Sequence, residues 1–309
     1  MSKIVIISLV YIFSVFENSF SFEEEDNSFA NYIRNFNTND ELATNKTLLF
    51  TGYALSNLTL PNEEINGIPK TAYKSEIGYG FYRTYEKLNE KIKNVRNGKQ
   101  LLKIDELKNI FYVGSESVFL SNISTYFNPV ENIAGSIKSD AWRFGFAYSN
   151  GYGYKLGIQP KLLLQHKSGF TWTRFDFEHI NVTSAQSYLK DLDEKMKFGQ
   201  FYSPSIAYGL SQSIKIELYY EKANTYNSTG GIAIIGTLVF EGALQRWVDF
   251  YETPLLMEFG DYYPFIYFAY KTAISSFIYA QKSNEHLFPF GGSKQASYNT
   301  YGIQLSFVL

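Results

Sequence analysis

Ala141-Trp142-Arg143-Phe144-Gly145-Phe146-Ala147-Tyr148-Ser149 decides how this chain reads. Every even position is a large aromatic; every odd one is Ala, Gly, Ser or a single Arg. Successive side chains of a strand point to opposite faces, so this is a strand with one bulky face and one small or charged face. The parity continues past Asn150-Gly151 through Tyr152, Tyr154, Leu156 and Ile158. Two strands with a glycine turn and one long bent strand both fit. The same period recurs downstream. Thr173, Phe175 and Phe177 alternate with Arg174, Asp176 and Glu178. Tyr202, Ile206, Tyr208 and Leu210 alternate with Ser203, Ser205, Ala207 and Gly209. Ile214, Ile216 and Leu218 alternate with Lys215, Glu217 and Tyr219, after Ser211-Gln212 where the chain must reverse. Last come Tyr301, Ile303, Leu305, Phe307 and Leu309. Six strands are clear; Thr47 to Ser56 and Phe111 to Leu120 are the candidates for two more.

Outward from this block, the organisation is as follows. Lys3 precedes an uncharged apolar run from Ile4 to Phe16, and Ser19-Phe20-Ser21 offers a small-x-small cleavage site, so residues 1–21 read as a signal peptide. The run is too short to span a bilayer, and no later stretch is long and apolar enough to do so as a helix. Residues 22–70 read as an extended N-terminal arm opening on Glu23, Glu24, Glu25 and Asp26. In 71–135 the steps Ile77, Phe81, Tyr85, Leu88, Ile92 and Val95 fit one helical face, which predicts a helix over 74–96 and a helical region around it. Residues 136–309 form the antiparallel β region. It carries a short helix or long loop at 183–196 and a helical insert at 229–283, with two apolar helices around Pro254 and Pro264.

Composition narrows the function classes. Among 309 residues 18% are aromatic and 19% charged, the formal net charge is -2, and no long basic run occurs, which argues against nucleic acid held by phosphate neutralisation. With no cysteine and three histidines the chain offers no disulfide framework, no thiol nucleophile and no obvious metal cluster. We expect no metal and no cofactor.

One face collects the large aromatics and the other the small and charged residues, the inverse of a soluble ligand barrel. Strands cross a bilayer only as a closed barrel, with apolar side chains to lipid and polar ones to the lumen. At this point the chain resembles bacterial outer-membrane β-barrel proteins, through Met1 to Ser21 and the terminal strand Tyr301-Gly302-Ile303-Gln304-Leu305-Ser306-Phe307-Val308-Leu309. The resemblance implies a small antiparallel membrane β-barrel of about eight strands in a Gram-negative outer membrane. It also implies a lipid bilayer as surroundings and recognition of the last strand by barrel-insertion machinery. The alternative is a soluble periplasmic α+β protein whose sheet is covered by the helices. A non-enzymatic role in passage, binding or envelope structure follows from the first reading, with helices 230–282 capping the barrel or docking on a protein partner.

On the barrel reading Trp142, Phe144, Tyr154, Ile206 and Ile216 face lipid. Arg143, Lys155, Arg174, Asp176, Glu178, Lys215, Glu217 and Glu221 share the lumen, a near-balanced set that suggests a salt-bridged plug. Two pairs are the candidates for an enzyme acting on lipid or glycan. Asp176 and Glu178 sit about 7 Å apart on one strand face, a spacing used by paired carboxylates in glycoside chemistry. His166-Lys167-Ser168 resembles the His-x-Ser of outer-membrane lipid A deacylases, where a His takes the proton of a Ser nucleophile; Gly169 stands where that family has Asn. A single His on a strand face is more often structural than catalytic, and a carboxylate pair on one strand recurs by chance.

Overall fold

Period-two segments become eight strands that close on themselves: β1 (Thr44–Thr59), β2 (Thr71–Tyr85), β3 (Ile110–Ser124), β4 (Lys138–Lys155), β5 (Lys161–Glu178), β6 (Met196–Gly209), β7 (Ile214–Tyr226) and β8 (Lys294–Val308). The structure is a computed structural model that describes residues 44–59, 71–85, 109–126, 138–156, 161–178, 192–226, 241–249, 251–282 and 294–309. Each strand pairs antiparallel with its neighbour in sequence, and β1 pairs with β8, so no sheet edge is left open. The turn end of the barrel holds the connections 86–109, 156–160 and 210–213. At the last of these, Ser211 Oγ accepts from the amides of Ser213 and Ile214. The opposite, loop end holds the connections 60–70, 125–137, 179–195 and 227–293.

The structure overturns the helix over 74–96 and settles what the pattern left open, including the two candidate strands Thr47 to Ser56 and Phe111 to Leu120. The helix over 74–96 is instead β2 through Tyr85, because Ile77, Tyr79 and Phe81 also alternate, and once β1 and β3 flank the segment its polar groups are satisfied by ladder bonds. Part of the expected arm, Thr44–Thr59, is β1, and Phe111 to Leu120 lies inside β3. The open question at Asn150-Gly151 resolves to one continuous strand, β4, with the reversal falling later. Finally, the helices do not cover the sheet as the α+β alternative requires. The signal segment 1–21, the arm before Thr44, the chain at 86–108 and the segment 179–191 lie outside the described residues.

The interior is filled by pairing large with small. Phe50 faces Gly78 across the ladder, Phe119 faces Gly145, Phe111 faces Gly153, Phe201 faces Gly169 and Tyr219 faces Gly302. Each ring lies over its glycine. A Cβ on Gly78 would sit 2.0 Å from the Phe50 ring, and one on Gly145 would sit 2.4 Å from the Phe119 ring. Only a bare glycine leaves space for an aromatic inside so narrow a barrel. The rings then meet across the lumen: Phe119 and Phe201 stand edge to face at 5.5 Å, and Phe175 and Tyr298 stack at 6.1 Å.

Between β7 and β8 come α1 (241–249), α2 (Glu252–Phe259) and, after a 3-10 turn at Gly260–Tyr262, α3 (Tyr263–Lys282). They pack on the outside of the wall, over β4, β5 and β6, as Tyr263 and Tyr267 against Tyr152 and Tyr279 against Tyr202 show.

Candidate functional site: the lumen and the outer wall

Two ionic clusters bar the lumen. In the one nearer the loop end, Glu221 of β7 accepts from Arg143 of β4 at 2.6 Å and from Lys74 of β2 at 2.8 Å, and Lys74 also meets Glu76 at 2.7 Å. Two cations and two carboxylates, all buried, balance one another. Arg143 also lies over the rings of Phe119 and Tyr298, at 6.0 and 5.9 Å. In the second cluster Lys167 of β5 reaches Glu217 of β7 at 3.8 Å and Gln304 of β8 at 3.3 Å, and Gln304 donates to Glu217 and Ser306. Lys215 sits 3.6 Å above the Tyr82 ring. Apolar layers close both ends, with Phe175, Phe177, Leu192 and Tyr298 towards the loop end and Leu48, Phe50, Phe111, Leu163 and Val308 towards the turn end.

The outer wall is apolar. Leu49, Tyr53, Ile77, Phe81, Leu120, Trp142, Phe144, Phe146, Tyr148, Ile206, Tyr208, Leu218, Tyr301 and Ile303 are all exposed large hydrophobics. On β8 the outward series runs from Tyr301 to Leu309, eight steps of about 3.4 Å, or roughly 20 Å of height at a tilt near 40°. Rings also stack along the surface, Phe144 on Trp172 at 6.0 Å and Phe170 on Phe198 at 5.8 Å. Towards the loop end the outward positions turn polar. Asn122 donates to Asp140 at 2.7 Å, and Arg174, Asp176 and Glu178 are exposed.

The expected lumen set therefore divides. Arg143, Lys215, Glu217 and Glu221 are inside, and Lys155 has inward parity at the turn-end rim. Arg174, Asp176 and Glu178 point outward, while Thr173, Phe175 and Phe177 point in. Above the apolar band the outside is water and the inside is a closed core, so the rule that apolar means outward reverses there. Asp176 and Glu178 are thus exposed on the outward face of β5 at its loop end. Beyond β3, burial and then a hydrogen bond to Glu178 push the Tyr126 phenol well above its ordinary range.

His166 and Ser168 share the outward face of β5. His166 is buried beneath the helices and stacks on Tyr202 at 6.2 Å, and its Nε2 has no hydrogen-bond partner, so nothing connects it to Ser168 Oγ. The two are neighbours on one face, not joined by the hydrogen bond that a nucleophile and its base share. Trp142, Phe144, Ile206 and Ile216 are exposed on the outer wall as expected, whereas Tyr154 is half-covered by Phe265 at 5.7 Å. Lys74, Glu76, Lys167 and Gln304 escaped the sequence reading. Lys74 and Glu76 share parity with Gly78 and Gly80, a signal masked by the helical spacing of their neighbours. Among the described residues no cluster of His, Asp and Glu could hold a metal ion.

No family model matches the sequence, and no curated protein does. Among solved structures the chain is similar to Neisserial surface protein A, at 7% identity over 84% of this chain and 96% of that one, TM-score 0.36. It is also similar to Ail, the attachment invasion locus protein of Yersinia pestis, at 10% identity over 85% and 98%, TM-score 0.33. Neither likeness extends to side chains. The closed barrel stands on this chain's own strand register.

Proposed function

We propose that the protein is an outer-membrane β-barrel of a Gram-negative envelope, exported by residues 1–21, with a non-enzymatic role in binding or envelope structure rather than in passage. One observation carries the reading: Lys74, Glu76, Arg143 and Glu221 are folded into the lumen as a self-neutralising cluster while the exposed wall is a band of aromatic and aliphatic side chains. In water such a wall would associate without control, whereas in lipid it is the ordinary solvent-facing surface. The turn end then faces the periplasm, and the loop end, with the connections 60–70, 125–137, 179–195 and 227–293, faces outward as the surface available for binding. The terminal strand Tyr301 to Phe307 serves the insertion machinery. Fractionation tests the compartment: the mature chain should require detergent for extraction, and recovery as a soluble periplasmic species would refute it. Planar bilayers test the plug, since the purified barrel should give no steady conductance, and a stable open channel would restore passage.

A further inference from the structure

Within the helical insert, α3 buries its lysine and exposes apolar side chains. Among the described side chains of α3 the exposed ones are Phe265, Ala269, Tyr270, Ala273, Phe277 and Ala280, without a charge among them. Its buried face holds Lys271 and Ser275 beside Tyr263, Tyr267 and Tyr279. The polar groups find partners underneath. Lys271 Nζ donates to Asp249 at 2.9 Å and to the Gln245 carbonyl at 2.8 Å, Tyr267 donates to Asp249 at 2.7 Å, and Ser275 donates to Glu241 at 3.0 Å. A helix lying on a soluble protein shows its charges to water; this one buries Lys271 along with its apolar stripe of Tyr263, Tyr267, Ile278 and Tyr279, and keeps apolar side chains on its open face.

The wall beneath is reversed in the matching sense. Outward positions of β4, β5, β6 and β7 in this sector include Asn150, His166, Gln200 and Asn224, all buried although they point away from the lumen. Neither surface could face hydrocarbon alone, because an uncompensated polar group there costs several kcal/mol. Together they hide one another.

The helix also has the right placement. Its first turn meets Tyr152 and Tyr154 towards the turn end, and its last turns meet Tyr202, with Tyr279 at 4.7 Å and Ser276 at 3.1 Å from the Tyr202 hydroxyl. Twenty residues give about 30 Å, the depth of a hydrocarbon layer. No helix among the described residues is apolar enough to cross a membrane by itself, as expected if the polar residues of α3 are turned to a wall.

Resting on the outer-membrane reading, we propose that α1 and α3 form a strap immersed in the bilayer beside the barrel, with lipid acyl chains as the partner of the Phe265, Ala269, Ala273, Phe277 and Ala280 face. The strap replaces lipid over the polar sector of β4 to β7 and extends the apolar band across itself. Trp247 and Tyr251 are exposed on and just after α1, next to exposed Arg246, an arrangement that suits the edge of the layer where aromatic and cationic side chains meet headgroups.

The chain has no cysteine, so single nitroxide labels decide the matter. The full-length mature protein carrying Ala269→Cys, Ala273→Cys or Ala280→Cys, with Ile303→Cys and Ser211→Cys as references, is reconstituted in phosphatidylcholine vesicles. Collision of each label with oxygen and with a water-soluble nickel chelate is then measured. The three helix labels should match Ile303, with an oxygen-to-nickel ratio several-fold above that of Ser211. Helix labels that follow Ser211 while Ile303 favours oxygen place the insert in water and overturn the strap, leaving the barrel reading standing. Nickel-dominated signals at Ile303 as well overturn both. An independent readout uses native side chains: with Trp142→Phe and Trp172→Phe, Trp247 alone remains, and brominated phospholipid should quench it. Unquenched Trp247 fluorescence rejects the strap.

Discussion

Replacing Glu221 with Gln keeps the shape of the lumen cluster and removes one charge. In the native barrel Glu221 offers one oxygen to Arg143 at 2.6 Å and the other to Lys74 at 2.8 Å, and all three are buried. Without it, Lys74 and Arg143 share Glu76 alone, so the enclosed cluster passes from neutral to one net positive charge with no water to dilute it. Breaking a buried ion pair by removing one partner costs about 3–5 kcal/mol, because the remaining charge stays desolvated. With a urea slope of about 2 kcal/mol per M, a loss of about 4 kcal/mol lowers the unfolding midpoint by roughly 2 M. The measurement is urea unfolding from phospholipid vesicles, followed by fluorescence of Trp142 and Trp172 on the outer wall. Glu217→Gln is the internal standard. Its Lys167 contact is longer, 3.8 Å, and the Lys167 side chain is partly exposed, so its loss should be no more than about 1–2 kcal/mol. Adding Lys74→Met to Glu221→Gln restores neutrality and should recover a substantial part of the loss, a coupling that two independent sites would lack. Equal midpoints for Glu221→Gln and Glu217→Gln, or strictly additive effects in the cycle, would refute the idea of a lumen held shut by mutual neutralisation.

Three further outcomes follow from the geometry. Ile303→Arg places a charge in the outer band and should destabilise by about 2–4 kcal/mol, whereas Asp176→Arg, outward but above the band, should cost under about 1 kcal/mol in the same unfolding assay. Gly78→Val drives a side chain into the Phe50 ring and should cost at least about 1–3 kcal/mol. A matching gain on adding Phe50→Ala, read as recovery of the folded band in unheated gel electrophoresis, checks that the ring is the obstacle. Lys271→Met strands Asp249 in the seam between strap and wall and should lower stability by about 1–3 kcal/mol. An unchanged midpoint there would show that the seam is wet.

The barrel was legible in the strands where both faces were distinctive, above all β4 and β8, and in the parity that put Arg143, Lys215, Glu217 and Glu221 together. It was not legible in β2. Ile77, Phe81, Tyr85 and Leu88 satisfy a helical spacing only if Tyr79 and Tyr82 are overlooked, and nothing local chooses between the periods; the ladders to β1 and β3 choose. Aromatic count misled at β5 for a different reason. Parity with Phe175 and Phe177 opposite them places Arg174, Asp176 and Glu178 in the lumen, but size reports burial, and burial means lipid only within the band. The outward neighbours one step earlier, Phe170 and Trp172, obey the rule that Phe175 and Phe177 break. Arg174, between Trp172 and Asp176, is where the surroundings change.

The insert illustrates the same ambiguity at the level of a whole element. Read as a sequence, Tyr263–Lys282 is an aromatic helix with one interior lysine, compatible with a cap, a docking arm or a core helix. Its sense emerges only when Lys271 is seen against Asp249 and the alanines against open surroundings. A stripe of Ala269, Ala273 and Ala280 facing outward would be inert in water and would require no partner there. Phe265 and Phe277 at its two ends, both at least half exposed, are what require one. Moving them into hydrocarbon is favourable at about 25 cal/mol per Å² of apolar surface, whereas leaving them in water forgoes that term. The strap and the polar sector of the wall therefore act as one device. The strap makes Asn150 and His166 tolerable on a lipid-facing sheet, and those residues give the polar side of the strap a place to turn.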